Sequence, residues 1–152
     1  AENQLFWAAG DRLVFPWEGN GWLNLYSVPA SGGEATPLTP GEFEVQFGTI
    51  TPDRREVVFD SNQDDIDRKH LWRVPVDGSR PPERITWGTG IEWAPAPTAS
   101  GDLAFLASDG ITPAHAEIMA GGAGRRALVA DWLPERFRAT TQPTVEAGEV
   151  EE

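Results

Sequence analysis

Short apolar segments separated by polar connections run along the whole chain. Arg12–Phe15, Glu56–Asp60 and Asp102–Phe105 each bring Val, Leu or Phe next to charged residues, and the helical spacing of three and four does not recur. Branched and aromatic residues crowd these segments, as is typical of strands. The pattern therefore predicts an all-β chain with short strands. A single helix-like segment, 131–137, is interrupted by Pro134.

The same order of segments returns with a spacing of about 46 residues. Leu25–Pro29 recurs as Leu71–Pro75, and Phe15, Phe59 and Phe105 stand at equivalent places in three apolar strands. A glycine turn and a short strand with Leu or Ile before Thr follow each of the two Val-Pro segments. A third copy keeps the order with weaker residue identity. Four short strands repeated at this period are the sequence signature of β-propeller blades.

We expect three four-stranded antiparallel blades of the WD40-like (PD40) type, over residues 1–40, 41–88 and 89–134. Closed propellers typically contain 4–8 blades, so three blades predict a partial β-propeller, an open arc. Each end of such an arc leaves an apolar face unpaired. We therefore expect a homo-oligomer, or contact with the rest of the parent protein. Residues 135–152 are polar and acidic, which indicates a linker or exit segment.

The charge balance excludes several classes of partner. The chain has 24 acidic and 12 basic residues, a net charge of −12, so phosphate backbones and anionic membranes are repelled. No apolar stretch is long enough to span a membrane, and charges within the first twenty residues argue against a signal peptide. Four arginines are too few to form a nucleic-acid patch and are expected on solvated faces. They are Arg125, Arg126, Arg136 and Arg138.

Catalytic groups are few. The chain has no cysteine, which removes disulfides, thiolate metal sites and cysteine nucleophiles, and no serine lies in a G-x-S-x-G turn. The two histidines are His70 and His115. His70 stands beside Leu71 in a predicted strand, which favours a structural role over that of a catalytic base. We therefore assign no catalytic residue and no cofactor, and expect the chain alone to be catalytically silent.

The acidic segment Asp60–Asp67 is the one candidate for a metal site. Its first five positions imitate the D-x-N-x-D start of a calcium loop. The sixth position should be Gly and is Asp65, and the twelfth should be Glu and is Leu71. Because the sharp turn and the bidentate ligand are both missing, we assign no metal. The segment is expected to be a turn in which Asn62 and Asp64 cap backbone amides.

The tryptophans beside the Glu18–Trp22 turn have two possible roles, in recognition of a partner or in packing between blades. Glu18–Trp22 contains the hairpin signal Asn-Gly, and Trp17 and Trp22 flank this turn, where they could form a recognition surface. A large ring buries about 150–250 Å², so packing between blades is favoured. The same interpretation extends to Trp7, Trp72 and Trp93.

Four segments resemble the last propeller blades of dipeptidyl-peptidase-IV-type members of the prolyl oligopeptidase family. They are Phe15–Tyr26, Leu38–Val45, Asp60–Asn62 and Leu71–Pro75. In that family a Glu-x-x-Gly-aromatic turn, a Leu-Thr-x-Gly-x-x-Glu-Val crossing segment and a Ser-Asn turn follow in this order, as they do here. Similar repeats occur in TolB-like periplasmic propellers.

The resemblance implies a parent serine peptidase that removes short peptides from substrate N-termini, in which the propeller filters access and helps to hold the substrate. The family's catalytic domain and its paired-glutamate segment have no counterpart in this sequence, so no functional residue is carried over. The expected role is that of a non-catalytic segment that gates and positions peptides. A periplasmic or secreted location is favoured by the resemblance. The alternative is a TolB-like interaction propeller without any enzyme domain.

Overall fold

A computed structural model describes residues 4–121 and 124–128, which form twelve strands and no helix. The strands are β1 Phe6–Ala8, β2 Arg12–Trp17, β3 Asn24–Pro29, β4 Thr36–Pro37, β5 Val45–Ile50, β6 Glu56–Ser61, β7 His70–Pro75, β8 Glu83–Arg84, β9 Ile91–Pro97, β10 Leu103–Ser108, β11 His115–Met119 and β12 Arg125–Ala127. They form three four-stranded sheets, here called sheet 1 (β1–β4), sheet 2 (β5–β8) and sheet 3 (β9–β12). All pairings are antiparallel between neighbours in the chain. The predicted all-β partial propeller is confirmed.

A hydrogen bond explains why a threonine recurs at the end of the repeat. The amide of Leu25 donates to Oγ1 of Thr39 at 2.8 Å, and the amide of Leu71 donates to Oγ1 of Thr86 at 2.9 Å. Both threonines are almost fully buried. Because a buried amide must be paired, a hydroxyl at this position ties the end of each repeat to its third strand.

Sheets 1 and 2 share the larger apolar core. Phe59, in the middle of β6, is completely buried, and Trp72 on β7 is 4% exposed. The predicted packing of Trp72 between blades is therefore correct. The other members of this core are Ala8, Val14, Leu25, Leu38, Phe43, Val45, Val57, Val74 and Val76.

Sheet 2 is covered on both faces, because successive residues of a strand point to opposite sides. Val57 and Phe59 pack toward sheet 1, whereas Val58 belongs to a second core with Leu103 and Phe105 of sheet 3. The first strands β5 and β9 also contact each other directly. In a propeller these first strands surround the central channel.

Sheet 1 has one face, on the side away from sheet 2, that is rich in apolar and aromatic side chains and partly exposed. We call it the leading face and define it by Trp7, Leu13, Phe15, Trp17, Tyr26 and Val28. Residues paired across antiparallel strands share a face, and the register pairs Trp7 with Leu13 and Phe15 with Tyr26. Trp7 and Trp17 are 56% and 54% exposed. The expectation that these two rings pack between blades does not hold among the described residues.

Sheet 3 has the corresponding uncovered side, here called the trailing face. It is formed by Trp93, Ala104, Leu106 and Ile118. Leu106 pairs with Trp93, and Ala104 pairs with Ile118. Leu106 is 37% exposed, whereas its neighbour Phe105 is buried against sheet 2. The arc therefore ends in an apolar face on either side.

Two predictions lie outside the described residues, namely the helix-like segment 131–137 and the exit segment 135–152. Within the described ranges, no helix is long and apolar enough to cross a membrane.

Candidate functional site

A chain of charged groups crosses from sheet 2 to sheet 3, and His70 begins it. His70 is fully buried, and its Nδ1 lies 2.8 Å from Oε2 of Glu92, which is 1% exposed. Oγ1 of Thr86 donates to the same carboxylate oxygen at 2.9 Å. A buried carboxylate is stable only when its oxygens are paired, and both partners come from sheet 2 and the segment that follows it.

Arg125 continues the chain on sheet 3. Its Nη1 donates to Oε1 of Glu92 at 2.9 Å, and its Nε and Nη2 donate to the two oxygens of Glu117 at 3.1 and 3.0 Å. Nε2 of His115 lies 3.1 Å from Glu117. Burial would raise the pKa of Glu117, but Arg125 and His115 outweigh it, so that pKa lies below its ordinary value. Arg125 lies in an exposed strand, as expected, while its guanidinium also pairs with both glutamates.

This arrangement joins sheet 2 to sheet 3 through paired charges. Within residues 4–121 and 124–128, no hydrogen bond joins His70 or His115 to a serine. The ring of His70 bonds Glu92, and the ring of His115 bonds Glu117 and the carbonyl of Pro113. A nucleophilic serine needs a base within hydrogen-bond reach. We interpret the charged chain as a structural clamp.

The acidic segment forms a turn, as expected, with different capping residues. Oδ1 of Asn62 accepts the amide of Glu44 at 2.8 Å, which agrees with the prediction. Asp64 has a positive φ of 63° and caps no amide among the described residues. Asp65 accepts instead, from the amide of Asp67 at 3.3 Å, and its other oxygen pairs with Arg68 at 3.3 Å. In the part of the chain that the structure covers, no cluster of His, Asp or Glu could hold a metal ion.

A pocket of about 400 Å³ lies beside this turn, between sheets 1 and 2. Trp22 and Phe43 form its apolar wall, and Glu42, Asp64 and Asp65 line the remainder. Ile66 also lines the pocket. The pocket is therefore acidic and aromatic, and it lies at the loop end of the arc.

The connection between β2 and β3 is a turn, as predicted, but its hydrogen bond spans Glu18 to Gly21 and places Gly19 and Asn20 at its centre. The amide of Gly21 donates to the carbonyl of Glu18 at 3.1 Å, and the amide of Trp22 donates to Oδ1 of Asn20 at 3.2 Å. Gly21 has φ of 88°, which a side chain rarely permits. The ring of Trp17 packs on Gly19, where an added Cβ would lie 3.0 Å from it.

We expect millimolar calcium to leave the melting temperature of the chain unchanged. The turn lacks the glycine and the bidentate glutamate of a calcium loop, and the carboxylate of Asp65 is already paired with Arg68. Thermal denaturation with and without calcium, at constant ionic strength, measures this. A calcium-dependent rise of several degrees that disappears in an Asp64→Ala variant would contradict the assignment.

The three sheets and the charged clamp between sheets 2 and 3 define a partial β-propeller module. The family described as the dipeptidyl peptidase IV (DPP IV) N-terminal region matches residues 1–111. The chain therefore belongs to this family, and the resemblance inferred from the repeats is confirmed.

Individual relatives agree with this assignment. An uncharacterized protein of Agrobacterium fabrum is 36% identical over 86 residues, which are 57% of this chain and 28% of that protein. A "Probable dipeptidyl peptidase 4" of Aspergillus flavus is 41% identical over 56 residues, which are 36% of this chain and 7% of that protein. The chain thus matches well under half of the length of either curated relative.

Solved structures show the same fold. A structure assigned as TolB from Agrobacterium tumefaciens superposes with a TM-score of 0.66 at 24% identity, over 85% of this chain and 50% of that one. A puromycin hydrolase superposes with a TM-score of 0.63 at 20% identity, over 84% of this chain and 20% of that one. The chain accordingly shares its fold with parts of both solved structures.

Proposed function

We propose that this chain is the non-catalytic propeller segment of a serine peptidase related to dipeptidyl peptidase IV, and that it gates and positions peptides for a hydrolase domain. The observation that carries the proposal is the family match over residues 1–111. The charged clamp supports it, because the hydrogen bonds of the two histidines in the described residues go to glutamates and to a carbonyl, and none goes to a serine. The first strands β5 and β9 contact each other, and in the closed propeller of the parent protein they would be the surfaces that a passing peptide contacts.

We expect the purified chain to release no chromophore from dipeptidyl nitroanilide substrates. The described residues lack a serine–histidine pair, and a nucleophile without a base is weak. A continuous absorbance assay at neutral pH measures this. Turnover that survives repurification and is lost when any single serine or histidine is changed would overturn the non-catalytic role.

A TolB-like interaction propeller is the second candidate function, and the superposition over half of the TolB structure favours it. The coding sequence that follows Glu152 distinguishes the two. A following α/β domain with a G-x-S-x-G turn supports the peptidase, whereas a stop codon supports the interaction propeller. Titration with short peptides gives a second readout, since amide shifts confined to β5 and β9 are expected only for peptide gating.

We also propose that the leading face binds the trailing face of a second copy of the chain. The two internal interfaces support this, because Phe59 and Phe105 are buried there at the position that Phe15 occupies on the leading face. A contact between different faces is heterologous, so it can extend from one copy to the next.

A further inference from the structure

Asp60 is a buried carboxylate without a partner. It lies on β6 with no exposed surface, and neither oxygen has a hydrogen-bond partner among the described residues. Its side chain is on the same side of the strand as Val58, which packs toward sheet 3. At the equivalent place the other repeats have Pro16 and Leu106, which carry no charge. Only the second repeat therefore has an ionisable side chain at this position, and that side chain lies in the contact between sheets 2 and 3.

Two strand irregularities surround this carboxylate. The pairing of β5 with β6 shifts between Val45 and Gly48, and the pairing of β9 with β10 shifts close to Ala94. Ala94 has φ of 52°, a left-handed conformation that is strained for a residue with a side chain. The backbone amides of Phe47 and Ala94, at these two irregularities, attract the Asp60 carboxylate and lower its pKa. Neither amide forms a hydrogen bond with it.

Few positively charged groups lie near the Asp60 carboxylate. Strands β5 and β10 carry no titratable side chain. The titratable groups of the other flanking strands and of the residue before β7 are Glu56, Glu92, His70, Arg73 and Lys69. Burial raises the pKa of Asp60 to about 6, because it outweighs the attraction of Lys69 and of the two amides. Lys69 itself donates to the side chain of Gln46.

We propose that Asp60 makes the contact between sheets 2 and 3 sensitive to pH, closed when the side chain is a neutral carboxyl and loosened when it is a carboxylate. The closed contact binds the proton more tightly than an opened one, in which Asp60 returns to its ordinary pKa of 3.8. The contribution of Asp60 to the stability of the contact is therefore full in acid and is lost as the pH rises from about 4 to about 6. Above that range it stays constant.

Amide hydrogen exchange of the 152-residue chain between pH 4 and pH 7 tests this device. After correction for intrinsic exchange, the opening constant of β9 and β10 should increase on the order of 50-fold over this range. Asp60→Leu, which installs the residue of the third repeat, and Asp60→Asn should both abolish the increase. Asp67→Asn removes one exposed carboxylate and serves as the matched control, so it should retain the increase.

Carbon-13 titration of the Asp60 carboxyl in the wild-type chain decides the matter even if both variants fail to fold. A midpoint near pH 6 supports the proposal. A midpoint below about 4.5 overturns it, and so does an equal increase in opening in wild type and Asp60→Leu.

Discussion

The purified chain is expected to self-associate at micromolar concentration, with monomer as the minority species. The leading face exposes more than half of Trp7 and Trp17, and the trailing face exposes Leu106. Each 100 Å² of apolar surface buried between them contributes about 2.5 kcal/mol before the entropy of association is subtracted. Sedimentation velocity or light scattering across a concentration series measures the mass.

A stable monodisperse monomer that binds no hydrophobic dye would contradict this expectation. That result would mean that the two faces are covered within one chain. Association that weakens as salt is added would also count against it, because an apolar contact between two chains of like charge should strengthen when their repulsion is screened.

Changing Glu92 to Ala is expected to lower the free energy of unfolding by about 3–5 kcal/mol. The substitution leaves Nδ1 of His70 and Nη1 of Arg125 without their buried partner, and removing one member of a buried ion pair leaves the other uncompensated. For a chain of this size the melting temperature should fall by on the order of 10 °C. Urea and thermal denaturation at neutral pH measure both quantities.

Glu83→Ala is the matched control for this prediction. Glu83 pairs with Arg73, but the two side chains are 55% and 44% exposed. Exposed pairs contribute at most about 1 kcal/mol, so this variant should be almost as stable as wild type. Equal losses in the two variants would show that the clamp contributes no more than a surface pair.

Much of the fold could be predicted from the sequence because residues with the same structural role recur at equivalent positions in successive repeats. Phe59 and Phe105 recur because each fills the space between two sheets. Thr39 and Thr86 recur because the hydroxyl of each accepts a hydrogen bond from a buried backbone amide in the third strand of its sheet. That a turn lies near Asn20 and Gly21 was predictable from local chemistry, since Gly21 has a positive φ, whereas the position of its hydrogen bond was not.

The clamp and the buried carboxylate could not be predicted in the same way. Arg125 and Glu92 lie 33 residues apart in different strands, in a repeat whose residue identity is weak, so no local pattern joins them. Asp60 precedes a polar turn and therefore resembles a loop residue. Its burial follows only from sheet 2 being covered on both faces, which depends on where sheet 3 lies.

Mixing two variants tests the open arc most directly. Trp7→Glu places a charge on the leading face, and Leu106→Glu places one on the trailing face, so each variant alone should be monomeric. Combined, they retain one intact leading face and one intact trailing face, and sedimentation should detect a 1:1 heterodimer that grows no further. If the mixture stays monomeric, or if either variant alone still associates, the chain does not form an arc that pairs its two end faces.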